Sequence, residues 1–285
     1  AFDVLEKIYE NVDIPLVLHG GSGITDKDFQ KAISLGIRKV NIATASFNSL
    51  TKKVEEYIAS NEKHNYFDLN TDYEKMIASI TPDDHYLKAA SKAGQGIRIL
   101  RQDTWEMIIT FVISQQKTIP AIRALVEALC SRYGTKIDQF YAFPTPEQLC
   151  QASLEDLLAL KLGYRAKYIY RLCRDAVAGR LDLAHLSKLD YTAAMEYLTG
   201  FYGIGKKVAN CVCLFGLHHI DAFPVDTWIE KILNEHYYDA EKYKDLPKAR
   251  LYDQMITDSF GCYKGYAGVM QQYIFNYERN VIHGK

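Results

Sequence analysis

Residues 200–211 read Gly-Phe-Tyr-Gly-Ile-Gly-Lys-Lys-Val-Ala-Asn-Cys, and Phe-Pro-Val-Asp follows at residues 223–226 after an apolar run. The glycines of this stretch, Gly203 and Gly205, predict a tight turn with positive φ, which lets the backbone approach another chain closely. The free N–H groups at the start of the next helix then face outward, where a phosphate can bind. The stretch therefore predicts a hairpin that presents Lys207 at the start of a buried helix, with Asp226 about one helix later.

Composition sets broad limits on the class of protein. The 285 residues allow one large or two ordinary domains, and an apolar fraction of 48% supports a buried core. The net charge of −1 gives no overall attraction to nucleic acid, so DNA binding would need a local basic patch. No apolar run is long enough to span a membrane, and we expect no membrane partner. The pair Cys211 and Cys213 predicts buried thiols in a reducing cytoplasm.

Helical spacing of apolar residues dominates from residue 71 onward. The spacing predicts helices over residues 105–114, 119–133, 154–160, 164–178, 192–198, 205–215, 227–235 and 266–279. Two of these helices, at 192–198 and 205–215, flank the glycine turn. The pattern as a whole predicts a mostly α protein with one compact, all-α domain over residues 66–285.

The glycine turn, its lysine and the Val225-Asp226 pair resemble the helix-hairpin-helix and Gly/Pro-Asp motif of the DNA glycosylase superfamily. Within that superfamily the chain is most similar to the 8-oxoguanine DNA glycosylase family. Three further blocks match that family in order, at residues 96–103, 162–168 and 266–275. The resemblance implies a base-excision-repair enzyme, a bifunctional DNA glycosylase and abasic-site lyase. Its partner would be double-stranded DNA containing oxidised guanine or abasic sites.

The resemblance also bears on cofactors and assembly. Some relatives bind an iron–sulfur cluster through a four-cysteine loop after the catalytic domain. The six cysteines of this chain lack that spacing, so we expect no cofactor. We further expect a monomer, located in the cytoplasm of a bacterial-type cell.

The resemblance assigns the chemistry to two residues. Lys207 would attack C1′ of the sugar and form a Schiff base with the opened ring, which permits strand cleavage by β-elimination. Asp226 would stabilise the positive charge that develops at the sugar and assist proton movement. Taken alone, Lys207 could instead bind a phosphate, and an aspartate before a helix is an ordinary N-cap. In the family the aspartate has both roles.

Recognition of the lesion is assigned by resemblance to Cys211, Gln271 and Phe275. Phe275 and Cys211 would contact the two faces of the extruded base, and Gln271 would bond its Watson–Crick edge. Both Phe275 and Cys211 would equally suit a buried core, which is the usual place for these residue types.

DNA contacts are assigned to the turn and to two other segments. Extruding a nucleotide leaves a gap in the duplex, which Tyr164 would fill as a wedge while Arg165 contacts the partner base. Gln116 matches a position whose amide occupies the vacated stack. The turn itself, Gly203 and Gly205 with Lys206, would contact a phosphate. For Lys206 and Gln116, plain solvent exposure is the alternative interpretation.

Three departures from the family pattern limit this transfer of roles. Ala121 stands where the animal-type enzymes have an arginine for the opposite cytosine, which predicts weaker discrimination of that base. Trp228 replaces a histidine that often follows the catalytic aspartate, as in bacterial members. The chain has no match to the β-rich domain that precedes the helical domain in the family and distinguishes 8-oxoguanine from guanine. We therefore expect lyase activity at abasic sites to survive, and both lesion excision and lesion selectivity to be impaired.

Residues 1–65 follow a different pattern. Strands at 15–19 and 39–43 alternate with helices at 26–35 and 45–59, and this βαβα order predicts parallel strands. His-Gly-Gly-Ser-Gly-Ile at 19–24, with Lys-Val-Asn-Ile-Ala-Thr at 39–44, resembles the last two βα units of a class II ketose-bisphosphate aldolase, a TIM-barrel enzyme. The resemblance implies a phosphate-binding remnant at Gly21, Ser22 and Thr44, and a relic zinc-ligand position at His19.

We expect no working metal site in this segment. Catalytic zinc requires about three protein ligands, and two βα units cannot close an eight-stranded barrel. Three functions remain open from the sequence. The glycosylase/lyase rests on Lys207 and Asp226, a non-catalytic helix-hairpin-helix protein would bind DNA without covalent chemistry, and an aldolase would rest on residues 16–44 alone.

Overall fold

The computed structural model describes residues 2–12, 14, 16–19, 24–41 and 66–284. The chain forms two compact units, Ala1–Asn65 and Tyr66–Lys285. Among the described residues, no helix combines the length and apolar character needed to cross a membrane.

The first unit contains two helices and two strands in its described part: Phe2–Asn11, Leu16–His19, Asp26–Ser34 and Ile37–Asn41. The strands pair in parallel, as the βαβ order predicts, with Leu18 opposite Val40. The helix at Phe2–Asn11 was not predicted from the sequence. It packs Tyr9 against Gly36, where φ is +92° and a Cβ atom would lie 2.1 Å from the Tyr9 ring. The predicted helix at 45–59 lies outside the described residues.

The second unit is built from helices, which confirms the mostly α prediction. Its α-helices are Tyr73–Ala78, His85–Ala93, Thr104–Ser114, Ile119–Tyr133, Pro146–Leu149, Leu154–Ala159, Arg165–Val177, Leu183–Leu186, Tyr191–Thr199, Lys206–Phe215, Thr227–Ile232, Ala240–Tyr243, Lys248–Phe260 and Ala267–Asn276. The unit also contains a short two-stranded antiparallel hairpin that the sequence analysis did not predict, in which Lys136–Ile137 pairs with Phe140–Tyr141. Its four residues are exposed, so no buried apolar alternation marked it in the sequence.

Two predicted helices end earlier than the sequence pattern indicated. The helix after Asp226 ends at Ile232 and continues as a π-helical turn, Leu233–Tyr237. The C-terminal helix ends at Asn276 and continues as a second π-helical turn, Tyr277–Ile282. Apolar residues continue at roughly helical spacing through both turns, so periodicity alone could not locate the change in winding.

The helix Lys206–Phe215, called the hairpin helix below, lies at the centre of this unit. Seven of its residues are buried, from Val208 to Leu214. It packs against the helix Thr104–Ser114, called the facing helix, which is itself buried along most of its length. A hydrogen bond joins the two helices at one end, where the Thr104 hydroxyl donates to the Gly216 carbonyl at 3.0 Å. The contact joins the start of the facing helix to the end of the hairpin helix, while Ser114 at the other end of the facing helix lies beside Lys207.

The helix Ala267–Asn276, called the glutamine helix, is placed by a close backbone contact. The Gly268 amide donates to the Ile220 carbonyl at 2.9 Å. A Cβ atom at Gly268 would lie 2.2 Å from the carbonyl oxygen of Ala222, so only glycine permits this approach. The contact brings the glutamine helix against the segment that leads into Asp226.

A buried carboxylate ties the start of the second unit to its core. Asp68 has no exposed surface and accepts hydrogen bonds from the hydroxyls of Tyr73 and Thr71. Arg101 and His218 lie 3.1 Å from its two oxygens. Burial alone would raise the pKa of Asp68, but these hydrogen bonds and nearby charges lower it below its ordinary value. The ionised form of Asp68 is therefore the stabilising one.

We expect Asp68→Asn to lower the free energy of unfolding of the second unit by about 3 kcal/mol, because the substitution removes the charge that Arg101 faces. Both tryptophans, Trp105 and Trp228, lie in this unit, so their fluorescence in a urea titration reports its unfolding. The matched control is Asp83→Asn, at an exposed aspartate of the same unit. Equal midpoints for the two variants would contradict the structural role of Asp68.

Candidate functional site

The glycine turn has the geometry that the sequence predicts at Gly203. Its φ is +97°, and a Cβ atom there would lie 2.3 Å from the ring of Tyr168. Both the backbone conformation and the packing therefore require glycine. Tyr168 in turn contacts Tyr202 edge to face, with 4.9 Å between ring centroids. The turn is thus locked onto the helix Arg165–Val177.

Gly205 differs from the expectation of a positive φ. Its φ is −89°, and it is the N-cap of the hairpin helix without a side chain to cap it. No atom lies within 4 Å of the position that a Cβ would take. The space in front of the helix N-terminus is therefore open to a ligand, which is the geometry that phosphate binding needs.

Lys206 is exposed beside this N-terminus, where its ammonium group forms an ion pair with Asp253. Both side chains are more than half exposed, so the pair contributes little to stability. The lysine can exchange this partner for a phosphate at low cost. The predicted phosphate contact is compatible with its position.

Lys207 occupies a different environment from its neighbour. It is half-buried, and its Nζ lies 3.5 Å from the Ser114 hydroxyl and 5.5 Å from the centre of the Phe111 ring. Both neighbours belong to the facing helix. The lysine therefore points inward along a wall of the site.

Asp226 is the N-cap of the helix Thr227–Ile232. Its Oδ1 accepts from the amides of Trp228, at 3.0 Å, and Ile229, at 2.9 Å. The capping role considered from the sequence is therefore present, and it fixes the carboxylate against the start of the helix. Both cap bonds use the same carboxylate oxygen.

One cavity of about 240 Å³ brings the predicted chemistry and recognition residues together. Its lining contains Lys207, Asp226, Cys211, Gln271 and Phe275. The volume lies below the roughly 300–1,000 Å³ of pockets for drug-sized ligands. A cavity of this size suits a single planar ring system rather than an extended ligand.

Four further residues complete the lining, and the sequence reasoning did not identify them: Phe111, Phe215, Pro224 and Gln272. The rings of Phe111 and Phe215 stack at 5.6 Å between centroids. In the sequence both lie in apolar helical runs, where a core position is the ordinary expectation. Only the pairing of the two helices brings them to the cavity.

Cys211 lies in this lining as a buried thiol. Its side chain is 4% exposed, and burial raises the pKa of its thiol to about 11, with the nearby carboxylate of Asp226 acting in the same direction and Lys207 opposing it. The thiol is therefore protonated at neutral pH. It offers the cavity a neutral, polarisable surface against which a ring can pack.

Gln271 is held at the inner wall of the cavity. It is 3% exposed, and its Nε2 donates to the Pro224 carbonyl at 3.2 Å. Phe275 lies one helical turn further along the same helix and is half-buried. An amide and an aromatic ring four residues apart share one face of a helix, as the predicted roles require.

The predicted wedge residue Tyr164 is 43% exposed and precedes the helix Arg165–Val177. Its neighbour Arg165 has a different environment from the one expected of a base-contacting residue. Arg165 is only 4% exposed, and its guanidinium donates to the carbonyls of Gln115 and Leu162 at 2.8 and 3.2 Å. A contact with a partner base would require these bonds to break. The contact with a partner base stays a prediction. In this structure Arg165 links its helix to the carbonyls of Gln115 and Leu162.

Gln115 joins three of the predicted DNA-contacting segments. Its carbonyl accepts from Arg165 beside the wedge, and its Nε2 donates to the carbonyl of Gly203 in the glycine turn at 3.1 Å. The next residue, Gln116, is exposed and has φ +51°. The turn therefore directs Gln116 toward solvent, as a gap-filling role requires.

A second cavity, of about 500 Å³, also includes Lys207 in its lining. Its other polar groups include Glu230, Asp253 and Asn210, the last bonded to the Tyr191 hydroxyl. It contains none of Cys211, Gln271 or Phe275. The smaller cavity is therefore the better candidate for the reacting group.

The aldolase-like positions of the first unit remain predictions. Gly21, Ser22 and Thr44 lie outside the described residues, as does the side chain of His19. The backbone of His19 ends the strand Leu16–His19.

Comparison with known proteins identifies two families along the chain. The HhH-GPD superfamily of base excision DNA repair proteins matches residues 109–251, just over half of the chain. The class II fructose-bisphosphate aldolase family matches residues 1–95. The second match extends past the boundary at residue 65 that the sequence pattern predicted.

Individual relatives agree with the first family. An N-glycosylase/DNA lyase of Saccharomyces cerevisiae is 33% identical over 246 residues, which are 75% of this chain and 65% of the yeast protein. A probable N-glycosylase/DNA lyase of Methanothermobacter thermautotrophicus is 29% identical over 76% of this chain and 74% of its own length. The chain thus spans less than two thirds of the yeast relative.

A solved structure gives the same result. The 8-oxoguanine glycosylase/lyase of Clostridium acetobutylicum, bound to double-stranded DNA with cytosine opposite 8-oxoguanine, has a TM-score of 0.71 and 33% identity. The similarity covers 79% of this chain and 76% of that protein. The resemblance predicted from the sequence is confirmed.

For the other family, a fructose-bisphosphate aldolase of Mycoplasma pneumoniae is 38% identical over 80 residues, which are 28% of each protein.

The state of the Cys211 thiol gives a direct test of the cavity. Because the thiolate is the reactive form, a buried thiol with a pKa of about 11 should resist iodoacetamide at pH 8. The exposed Cys262 serves as the internal reference. We expect mass spectrometry of the native protein to find Cys262 alkylated at least tenfold faster than Cys211, with the difference lost in urea. Equal rates in the native protein would mean that the cavity is open to solvent at Cys211.

Proposed function

Because the chain belongs to the HhH-GPD superfamily of base excision DNA repair proteins, we propose that it is a DNA glycosylase and abasic-site lyase that removes oxidised purine, 8-oxoguanine, from double-stranded DNA. One observation carries the proposal: Lys207, Asp226 and Gln271 line a single small cavity. A nucleophile, a carboxylate and a base-reading amide thus surround the same space. The names of the relatives, which are N-glycosylase/DNA lyases, support the same activity.

The proposed reaction begins with the amine of Lys207. Its Nζ attacks C1′ and gives up a proton, the bond from C1′ to the base nitrogen breaks, and the base leaves with the electron pair and takes up a proton. The sugar ring opens to a Schiff base between Nζ and C1′. Loss of a proton from C2′ then expels the 3′ phosphate by β-elimination. Hydrolysis of the imine returns the free lysine.

Asp226 would act on the charge that develops in this reaction. A carboxylate fixed beside the sugar stabilises the positive charge at C1′ as the base departs. The helix cap contributes by holding the carboxylate in one place, so that little reorganisation is needed at the transition state.

The glycine turn and the wedge segment would hold the DNA. The open space before Gly205 and the exposed Lys206 suit a phosphate. The exposed ring of Tyr164 suits insertion into the stack from which the nucleotide is extruded. Because the net charge of −1 gives no overall attraction to DNA, binding would depend on these local contacts.

The aldolase alternative has little support, since the similarity reaches only 28% of the aldolase relative. The DNA-binding alternative differs from the proposal in one respect, the covalent chemistry at Lys207. The monomeric state and the cytoplasmic location stay predictions from the sequence.

The first test is borohydride trapping of the protein on two duplexes, one with 8-oxoguanine opposite cytosine and one with an abasic site. We expect a covalent band on both duplexes, and we expect Lys207→Gln to abolish it because the amide cannot form an imine. The matched control is Lys206→Gln, which removes the neighbouring amine and should still form the band at higher DNA concentration. A band on the abasic duplex alone would support lyase activity without lesion recognition. No band on either duplex would favour a non-catalytic DNA-binding protein.

Asp226→Asn separates the two roles of that residue. Asparagine is as good an N-cap as aspartate, so the helix should keep its stability while the negative charge is lost. We expect the melting temperature to change by about 2 °C or less, and single-turnover excision to fall about 100-fold. The comparison variant is Asp226→Ala, which should lose both activity and about 1 kcal/mol of stability. Full activity in Asp226→Asn would exclude a role for the charge.

A further inference from the structure

A second glutamine, Gln272, lies in the lining of the small cavity beside Gln271. The two residues are neighbours on the glutamine helix, and their side chains meet. The Nε2 of Gln272 donates to the Oε1 of Gln271 at 2.5 Å. None of the predicted roles involves Gln272.

This contact and the one to Pro224 together hold the Gln271 amide in one orientation. A carboxamide can rotate by half a turn, which exchanges its oxygen, an acceptor, with its NH₂ group, a donor. Here the Pro224 carbonyl takes a hydrogen bond from the Gln271 NH₂ group, and Gln272 gives one to the Gln271 oxygen. The reversed amide would set oxygen against oxygen at Pro224, whose carbonyl can only accept, and it would lose the bond from Gln272 unless that amide rotated as well. The Pro224 carbonyl therefore selects this orientation, and the hydrogen bond from Gln272 stabilises it.

This orientation determines what the cavity offers to a base. The Gln271 oxygen keeps a second lone pair, and the Pro224 carbonyl beside it is also an acceptor. An edge rich in acceptors complements a base edge rich in donors. The Watson–Crick edge of 8-oxoguanine carries two donor groups, N1–H and the 2-amino group. That of 8-oxoadenine carries one amino group and an unprotonated N1.

We propose that Gln272 is a positioning residue that sets base specificity: it holds Gln271 with its oxygen toward the cavity and so selects purines with N1–H and 2-amino donors over purines with an unprotonated N1. The inference rests on the proposed glycosylase function and deepens it. Gln272 acts through Gln271 and need not touch the base.

Two variants separate this role from direct contact with the base. Gln272→Glu has nearly the same shape but no N–H donor, so its carboxylate repels the Gln271 oxygen and favours the reversed amide. Gln272→Met is similar in size, neutral and without a polar partner. If Gln272 acts by donating to Gln271, both variants should lose the preference for 8-oxoguanine over 8-oxoadenine. If the Gln272 oxygen instead accepts from the base, Gln272→Glu keeps that acceptor and should keep the preference. Only Gln272→Met should then lose it.

The measurement is the single-turnover excision rate of 8-oxoguanine and of 8-oxoadenine, each placed opposite cytosine in the same duplex. The rate of strand cleavage at an abasic site, which has no base to read, corrects each variant for folding and DNA binding. We expect the wild-type protein to prefer 8-oxoguanine, and both variants to lower the ratio of the two excision rates about tenfold. Gln151→Glu, at an exposed glutamine outside the cavity lining, controls for the added negative charge.

The outcomes distinguish failure of this inference from failure of the proposed function. An unchanged ratio in both variants, with 8-oxoguanine still preferred, would overturn the role of Gln272 alone. A lowered ratio in Gln272→Met but not in Gln272→Glu would replace the positioning role by direct contact. A wild-type protein that excises neither base would overturn the proposed function, and this inference with it.

Discussion

The packing of the hairpin helix against the facing helix is the contact on which the rest of the site depends. Seven consecutive residues of the hairpin helix are buried, and the facing helix is buried along most of its length. The first two residues of the hairpin helix, Lys206 and Lys207, nevertheless remain at least partly accessible, and the space before them at Gly205 is open. Lys207 lies where burial begins, and this position gives it both an exposed approach and an enclosed neighbourhood.

The small cavity is assembled from segments that are distant in the sequence. The hairpin helix contributes the lysine and the thiol, the N-cap of the helix Thr227–Ile232 is Asp226, and the glutamine helix contributes its amides and Phe275. Two of the helices around the cavity are placed by contacts outside it. Gly268 sets the glutamine helix against the backbone of residues 220–222, and the Thr104 hydroxyl sets the facing helix. The polar groups are therefore held in place before any DNA binds, which is the condition for electrostatic stabilisation of a transition state.

The predicted DNA-contacting segments are also coupled to one another. Gln115 bonds both the guanidinium of Arg165 and the backbone of Gly203, while Gln116 beside it is directed to solvent. A displacement of the wedge would thus be transmitted to the glycine turn through one residue. Residues 1–95 are similar to a different enzyme family, the class II fructose-bisphosphate aldolases.

The sequence determined the family, the mostly α fold and the glycine turn, and it predicted five residues that line one small cavity. These features depend on local patterns: glycines where a turn needs them, apolar residues at helical spacing, and a lysine and an aspartate at fixed distances along the chain. The tertiary structure decided which side chains share the cavity, since Phe111, Phe215 and Gln272 meet Lys207 only through helix packing. It also decided that Arg165 is buried and that Gly205 needs no positive φ. Such properties depend on contacts between residues far apart in the chain, and the spacing of residues along one segment carries no information about them.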